Sequence, residues 1–495
     1  MMEFELKLAV PAARKAELLE ALALSRAPSM SQSAHYFDTE DGLLAACGLS
    51  LRLRREGRRW VQTLKAGGDS PVSRLEDSIV VRVPKGGSPS IDLQRHRTAA
   101  AREALEKSLK SPSSEAWPAL VERFVVKVSR RARDVEKDGE KLEIVFDVGH
   151  IEAQGKRLPI CELEIELKSD GGSAHMFALA RQLVHEHHLW LSTTSKSARG
   201  EALLSAQEHA PVVKAREVDF DPDASDGQKL RAMVRNCLWQ VLPTASQVAA
   251  GSDDPDQVHQ LRVGLRRLRT ILKEAQSLAD GVDPAWEDPL AAVFRQLGVY
   301  RDHESMAKNL QPRLLALGAQ PITSWPPSAE AVVAPKVTVR DPGFQSTLLS
   351  VLAFSLQKGG EKSDGPARSR KMLAKRLDRL HCQVVADGRR FTKLPVEHQH
   401  QVRKRLKKLR YLCEFTKPMF KPSKVERYLD SLRPAQDALG THNDDAVAME
   451  SWRCHPPVET AAWFAMGWLS ANQIRTAEDC RKALKKIKGS DRFWT

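Results

Sequence analysis

Glu3-Phe4-Glu5-Leu6-Lys7 alternates two carboxylates and an ammonium with apolar residues. In an extended strand, successive side chains point to opposite faces. Glu3, Glu5 and Lys7 then share one face, and Phe4, Leu6 and Leu8 share the other. Two carboxylates two residues apart on one face suit a hard divalent cation such as Mg²⁺ or Mn²⁺. Taken alone, the pentapeptide reads first as an ordinary edge strand with its polar face in water. The same one-faced charging recurs along the chain, and the recurrence changes that reading.

Leu51-Arg52-Leu53-Arg54 places Arg52 and Arg54 together. Thr63 pairs with Lys65, Arg74 with Glu76, and Arg131 with Arg133. Cys161 to Lys168 puts Glu162, Glu164, Glu166 and Lys168 on one face, with Leu163, Ile165 and Leu167 opposite. Three carboxylates on one strand face repel one another and need cations, a metal or a shared proton. The arginine strands have the opposite problem. Acidic and basic strands facing each other across a shared interior relieve both. A closed antiparallel barrel does this, with its apolar faces turned outward against covering helices. Arginine forks match phosphate oxygens, and the carboxylates would hold a metal that neutralises a polyphosphate.

Alternating segments at 2–10, 49–55, 59–66, 74–83, 123–134, 141–148 and 160–168 position these charges. Helical periodicity interrupts them at 12–24, 99–110 and 173–189. Gln207 to Gln228, with Pro211, Pro222 and many acidic residues, reads as a linker. The domains this implies are 1–206 and 226–488, with 207–225 between them. Pro312 to Pro342 reads as a long loop. Lys358 to Pro366, with Gly359, Gly360 and Gly365, reads as a second linker between helical halves at about 226–357 and 367–488.

A chain of 495 residues is too long for one ordinary core. Apolar content of 42% and charged content of 28% describe a soluble protein. No run of apolar residues is long enough for a transmembrane helix, so no insertion into a membrane is expected. The charged N-terminal strand does not resemble a secretory signal. The seven cysteines are scattered and never spaced as CxxC, which fits a reducing cytoplasm and not a disulfide framework or zinc site.

Residues 1–206 hold 31 Lys and Arg against 29 Asp and Glu, whereas 207–495 hold 46 against 34. The basic surplus in the second part implies a polyanion: nucleic acid, an anionic membrane surface or a phosphate polymer. Only 6% of residues are aromatic, which argues against single-stranded nucleic acid and its stacking platforms.

The second part also repeats itself. His259, Arg262, Arg266, Arg269 and Lys273 follow helical spacing, and His400, Arg403, Lys407 and Arg410 repeat it 141 residues later. Leu297-Gly298 with Arg301-Asp302 matches Leu439-Gly440 with Asn443-Asp444 at an offset of 142. Two matches at nearly one offset indicate a duplicated helical unit. Like charges along a helix cost about 0.2–0.5 kcal/mol per pair, so the stripes imply a compensating anion. For His259 and His400, anion contact reads ahead of metal ligation, because no carboxylate spacing supports a metal.

Several pieces together resemble the CYTH domain of the triphosphate tunnel metalloenzymes. They are Glu3-x-Glu5-x-Lys7, Tyr36-Phe37-Asp38-Thr39, Leu51-Arg52-Leu53-Arg54, Thr63-Leu64-Lys65, Glu162 to Lys168, and Ser195-Lys196-Ser197-x-Arg199-Gly200. One departure is Phe37, where a second tyrosine is common. The duplicated basic motifs, with Gly440-Thr441-His442-Asn443-Asp444, resemble the CHAD domain over about 225–485. The first copy has Gly298-Val299-Tyr300-Arg301-Asp302, so its loop is expected to meet ligand differently.

The resemblance implies an α+β multidomain protein. An eight-stranded antiparallel barrel with covering helices precedes an all-α domain of two four-helix halves. It implies hydrolysis of inorganic triphosphate in the barrel with Mg²⁺ or Mn²⁺ held by Glu3, Glu5 and members of Glu162, Glu164 and Glu166. Lys7, Arg52, Arg54, Lys65, Arg74, Arg131, Arg133 and Arg199 would contact phosphate, and a second metal or Lys196 would position water. Against these roles, Arg54 and Arg133 have a rival reading as barrel-rim salt bridges, Arg131 reads ahead of Arg130 as the inward residue, Asp147 reads as structural, and Glu76 suits either a metal or the orientation of Arg74. The helical domain would bind inorganic polyphosphate through the two basic stripes, in the cytoplasm or at polyphosphate granules. The rival readings are a non-catalytic polyphosphate-binding protein, and a nucleoside or thiamine triphosphatase or adenylate cyclase on the same barrel.

Overall fold

Alternating residues build nine strands in the first part of the chain: β1 (Met2–Ala9), β2 (Met30–Asp38), β3 (Ser50–Glu56), β4 (Arg59–Gly67), β5 (Ser73–Val81), β6 (Val121–Lys137), β7 (Glu140–Ala153), β8 (Lys156–Leu167) and β9 (Trp190–Leu191). The computed structural model describes residues 2–57, 59–68, 70–83, 89–109, 117–169, 172–205, 210–326, 332–357 and 367–495. Every strand pairing is antiparallel, in the order β5-β4-β3-β2-β6-β7-β8-β1, and β1 pairs again with β5. The ring is therefore a closed eight-stranded barrel. The two-residue β9 pairs with Leu8 and Ala9 of β1, further along that strand than the Met2–Phe4 stretch that meets β5.

Among the strands sits a set of helices: α1 (Lys15–Ala21), α2 (Leu43–Ala46), α3 (Ala99–Leu109), α4 (Ala174–His187) and α5 (Lys196–Leu204). Leu51 and Leu64 on the outer barrel face pack with Leu44, Ala101, Leu105 and Leu109 from α2 and α3. On α4, Phe177 meets Phe4 with ring centroids 6.5 Å apart. A buried leucine contributes about 1.5–3 kcal/mol, whereas the attraction within a buried ion pair is largely offset by the cost of taking both charges out of water. The apolar outer faces, not the charges inside, hold the barrel closed.

The interior is charged over only part of its length. Ala34, Tyr36, Phe124, Val126, Val128, Ile151, Ala153 and Ile160 form an apolar cluster, with Leu203 and Leu204 of α5 packed against it. The register places Tyr36 beside Arg52 and Ala34 beside Arg54, so this cluster shares the inner face with the arginines. The lumen is thus plugged by apolar residues beyond its charged stretch, although apolar faces were expected to turn outward.

β2 lies outside the segments anticipated as strands. Its buried face is Gln32, Ala34, Tyr36 and Asp38, which gives no apolar alternation to read. The Asp38 carboxylate accepts from the amides of Thr39 (2.7 Å), Leu44 (2.8 Å) and Ala45 (2.9 Å), so it turns the chain into α2.

The second part is helical: α6 (Asp226–Ala250), α7 (Pro255–Ala275), α8 (Glu287–Leu315), α9 (Pro335–Val339), α10 (Pro342–Leu356), α11 (Ala367–Arg389), α12 (Val396–Thr416), α13 (Pro422–Cys454) and α14 (Thr460–Ile487). α7 and α12 each span 21 residues and begin 141 residues apart, as do α6 and α11 in their starts. The duplication is therefore structural. Two expectations are corrected. The loop expected over 312–342 is confined to the stretch between α8 and α9: Pro312 lies in the last turn of α8, where its missing amide costs one hydrogen bond and Leu310 and Leu314 are buried against Trp452 and Leu469. Gly298–Asp302 is not a loop but lies within α8, as its counterpart Gly440–Asp444 lies within α13. The linker expected at 358–366 lies outside the described residues.

The chain forms two compact units. One comprises Met1–Val213, Val241–Gln257 and Val339–Ala353, and the other Lys214–Gln240, Val258–Thr338 and Phe354–Thr495. No helix among the described residues is long and apolar enough to cross a membrane.

Candidate active site and basic helical face

The barrel order decides how the charges meet. β3, with Arg52 and Arg54, lies four places around the ring of eight from β8, with Glu162, Glu164 and Glu166. An arginine strand thus stands opposite a glutamate strand. The interior holds a cavity of about 660 Å³, lined by nine basic and seven acidic side chains. Glu3, Glu5, Lys7, Arg52, Arg54, Lys65, Arg74, Glu164, Glu166 and Lys196 all reach it. Arg54 also pairs with Glu56. The surplus of positive charge suits an anion.

Lys196 opens α5, where the Ser195 hydroxyl caps the helix by accepting from the Ala198 amide at 3.0 Å. Its ammonium contacts Asp147 (2.8 Å), Glu164 (2.7 Å) and Glu162. The carboxylate oxygens of these three acids lie within 4.8 Å of one another. Arg199, one turn on, pairs with Glu162. Gly200 follows because a side chain there would strike the Phe124 ring at 2.3 Å. Burial works to raise the carboxyl pKa values of Asp147, Glu162 and Glu164, but Lys196 with Arg130, Lys7 and Arg199 outweighs it and holds all three low. Burial likewise opposes the charge on Lys196, yet its three carboxylates hold its pKa above the ordinary lysine range.

A second cluster lies across β1, β4 and β5. Lys65 reaches Glu3 at 2.7 Å and Glu76 at 2.6 Å. Burial and the adjoining Glu76 raise Glu3 to about 7, while Glu76 itself is held low, chiefly by Lys65 acting against burial. Burial and then Glu164 raise Glu5. Burial lowers Lys7 to about 8.

In the helical part, Arg262, Arg266 and Arg269 fan around the Phe294 ring, 4.7, 5.0 and 5.3 Å from its centroid. Arg262 donates to the Phe294 carbonyl at 3.0 Å, and Gly298 leaves it room: a side chain there would meet Arg262 at 2.2 Å. Arg403 and Lys407 join Arg262, Arg266 and Arg301 in one electrostatic cluster. Burial, then Arg266, Arg403 and Arg410, lowers Lys407 to about 6. His400 bonds Asn443 Oδ1 through Nδ1 at 2.7 Å, and its pKa is lowered first by burial. His259 is half-buried on α7.

Residues 1–200 match the CYTH domain family and residues 232–453 match the CHAD domain family. The chain is a CYTH domain followed by a CHAD domain. It is 32% identical over 210 residues to the inorganic triphosphatase of Haemophilus influenzae, a match covering 42% of this chain and 56% of that protein. An uncharacterised protein of Mycobacterium tuberculosis is 24% identical over 256 residues, covering 48% of each. The chain spans about half the length of these curated relatives. Among solved structures, the CHAD domain of Ricinus communis is similar at 25% identity and a TM-score of 0.42, over 56% of this chain and 96% of that one.

Within the CYTH domain, two expected phosphate contacts are corrected. Arg131 points away from the lumen and donates to the carbonyls of Leu24 (3.0 Å), Ser25 and Ala27 (3.2 Å). Arg133 donates to Leu22 O at 3.0 Å. Both close carbonyls after the end of α1. Their neighbour Arg130 faces the lumen, pairing with Asp147 (2.6 Å) and Glu164 (3.1 Å). Asp147, read from sequence as structural, belongs to the acidic cluster. Glu166 reaches the cavity apart from that cluster and pairs with Lys168 at 2.8 Å.

The CHAD stripes are only partly convergent. Arg269 pairs with Glu287, and Arg410 lies 3.5 Å from Glu414. Lys273 is exposed in the last turn of α7. His442, part of the CHAD-like motif, is buried between Thr476 and Gln399, at 2.8 Å from each. Arg267, adjacent to Arg266, is buried and donates to Asn236 Oδ1 at 3.0 Å.

Proposed function

We propose that the CYTH domain hydrolyses the terminal phosphoanhydride of inorganic triphosphate with Mg²⁺ or Mn²⁺, and that the CHAD domain binds inorganic polyphosphate. The observation that carries this is the arginine strand standing opposite the glutamate strand across the cationic cavity of a closed barrel. Similarity to an inorganic triphosphatase supports the substrate class.

The donor set fits a hard divalent cation. Asp147, Glu162 and Glu164 offer only carboxylate oxygens, close together, and already clasp a cationic group. Glu3 and Glu5 would complete the candidate ligands. When bound, such a metal neutralises phosphate charge and acidifies water. Arg52, Arg54, Lys65, Arg74 and Arg130 would grip the phosphate oxygens and stabilise charge as it shifts onto the leaving group. Lys7 stays charged at neutral pH. Lys196, held as an ammonium, cannot take a proton from water, so it orients water or phosphate as a donor. In the CHAD domain, Arg262, Arg266, Arg403 and Lys407 form the anion face, and the clustered like charges gain from an anion that separates them.

A substrate panel tests this reading. Triphosphate, ATP and thiamine triphosphate are incubated with the full chain and each metal, and orthophosphate is measured. Fastest release from triphosphate is expected. Faster release from ATP or thiamine triphosphate would transfer the activity to organic triphosphates. No release, with tight polyphosphate binding, would leave a binding protein.

A further inference from the structure

Lys196 must stand among Asp147, Glu162 and Glu164, yet the run leading to it, 190–195, belongs to no long element. One side of that run is held by β1: Leu191 pairs with Leu8, and the Ser192 amide donates to the Lys7 carbonyl at 2.8 Å. The alternate amides, at Leu191 and Thr193, point the other way, where an edge strand ordinarily leaves them bare. Here they are taken by side chains from the segments 241–257 and 339–353, which belong to the same compact unit. The Leu191 amide donates to Gln345 Oε1 at 2.9 Å, and the Thr193 amide to Ser246 Oγ at 3.2 Å. Gln247 Nε2 donates to Thr194 Oγ1 at 2.9 Å. Gln345 is itself fixed by donating to the Val339 carbonyl at 2.7 Å. Arg340 lies 3.8 Å from the centre of the Trp190 ring and donates to the Ala249 carbonyl at 2.7 Å.

Gln345 and Ser246 are 1% and 2% exposed. A polar side chain buried that deeply costs stability unless it is bonded, and much of the bonding it finds here is to this run. The next residue, Ser195, caps α5 and so fixes the start of the helix that carries Lys196 and Arg199.

We propose that Ser246, Gln247 and Gln345 are positioning residues for Lys196: they clamp the run 190–195 against β1 and thereby set the lysine in its acidic cluster. This rests on Lys196 belonging to the active site. Helices that follow the barrel in the chain thus supply part of the frame of its reactive end.

The test labels lysines of the full chain with limiting acetic anhydride and reads each site by mass spectrometry. It compares the wild type with Ser246→Ala plus Gln247→Ala, and with Ser246→Thr, which keeps the hydroxyl. The double variant is expected to acetylate Lys196 about tenfold faster, with Lys7 and Lys65 unchanged and Ser246→Thr close to wild type. Unchanged labelling of Lys196, or equal acceleration of all three lysines, would overturn the proposal. In orthophosphate release, the double variant is expected to lose about tenfold in kcat with KM within about twofold, and to lose nothing further in a Lys196→Ala background. An equal loss in both backgrounds would assign these residues a general structural role and reject the proposal. Should the wild type release no orthophosphate, the hydrolase reading fails, and the labelling still decides whether the clamp sets Lys196.

Discussion

Two half-buried or buried lysines show how neighbours decide what a residue can do. Lys196 sits among three carboxylates and is fixed as a cation. Lys407 sits among arginines, and burial with their repulsion lowers it to about 6. Below about pH 6 Lys407 is protonated with or without ligand. Above it, the free protein has lost the proton and a bound polyanion must restore it. Polyphosphate binding is therefore expected to take up a proton near neutral pH and to weaken as pH rises above about 6. Calorimetry in buffers of different ionisation enthalpy measures the uptake, and Lys407→Met should abolish it. Uptake that persists in this variant would place the titrating group elsewhere. Adjacent arginines give a second contrast. Arg131→Ala removes carbonyl contacts outside the barrel and should lower stability by about 1–3 kcal/mol in urea unfolding while sparing kcat. Arg130→Ala removes a lumen charge and should lower kcat by about 100-fold. The reverse pattern would restore the inward reading of Arg131.

At the scale of elements, alternation made most strands legible, and the one-faced charges of β1, β3, β4 and β8 led directly to the lumen. β6 misled for a physical reason. Its inner face carries Phe124, Val126 and Val128, because they belong to the apolar plug, so inward does not mean polar in that strand. The arginine on the plug's face is Arg130, which a rule of apolar-out would assign to the exterior. The same plug explains Gly200: α5 lies so close to Phe124 that only glycine fits. Gly200→Ala should displace α5, lowering stability by about 1–3 kcal/mol and reducing kcat by way of Lys196. Thermal unfolding and turnover together check this, and a variant unchanged in both would show that α5 can yield without consequence.

For the whole molecule, the charge asymmetry and the 141-residue repeat were both readable, since each depends on residue type and spacing alone. The grouping of segments was not. The compact unit with the barrel includes 241–257 and 339–353, which lie inside the CHAD match. Nothing in a linear pattern says that Ser246, Gln247 and Gln345 meet the run before Lys196, because those contacts join residues roughly 50 to 150 positions apart. The central claim concerns the lumen, and one comparison tests it most directly: the initial rate of orthophosphate release from triphosphate with saturating Mn²⁺ or Mg²⁺, in the wild type and in Glu3→Gln plus Glu5→Gln. The wild type is expected to turn over and to stop in excess chelator, with the double variant slower by about 100-fold or more. A wild type without turnover, or a double variant with undiminished rate, would contradict the account.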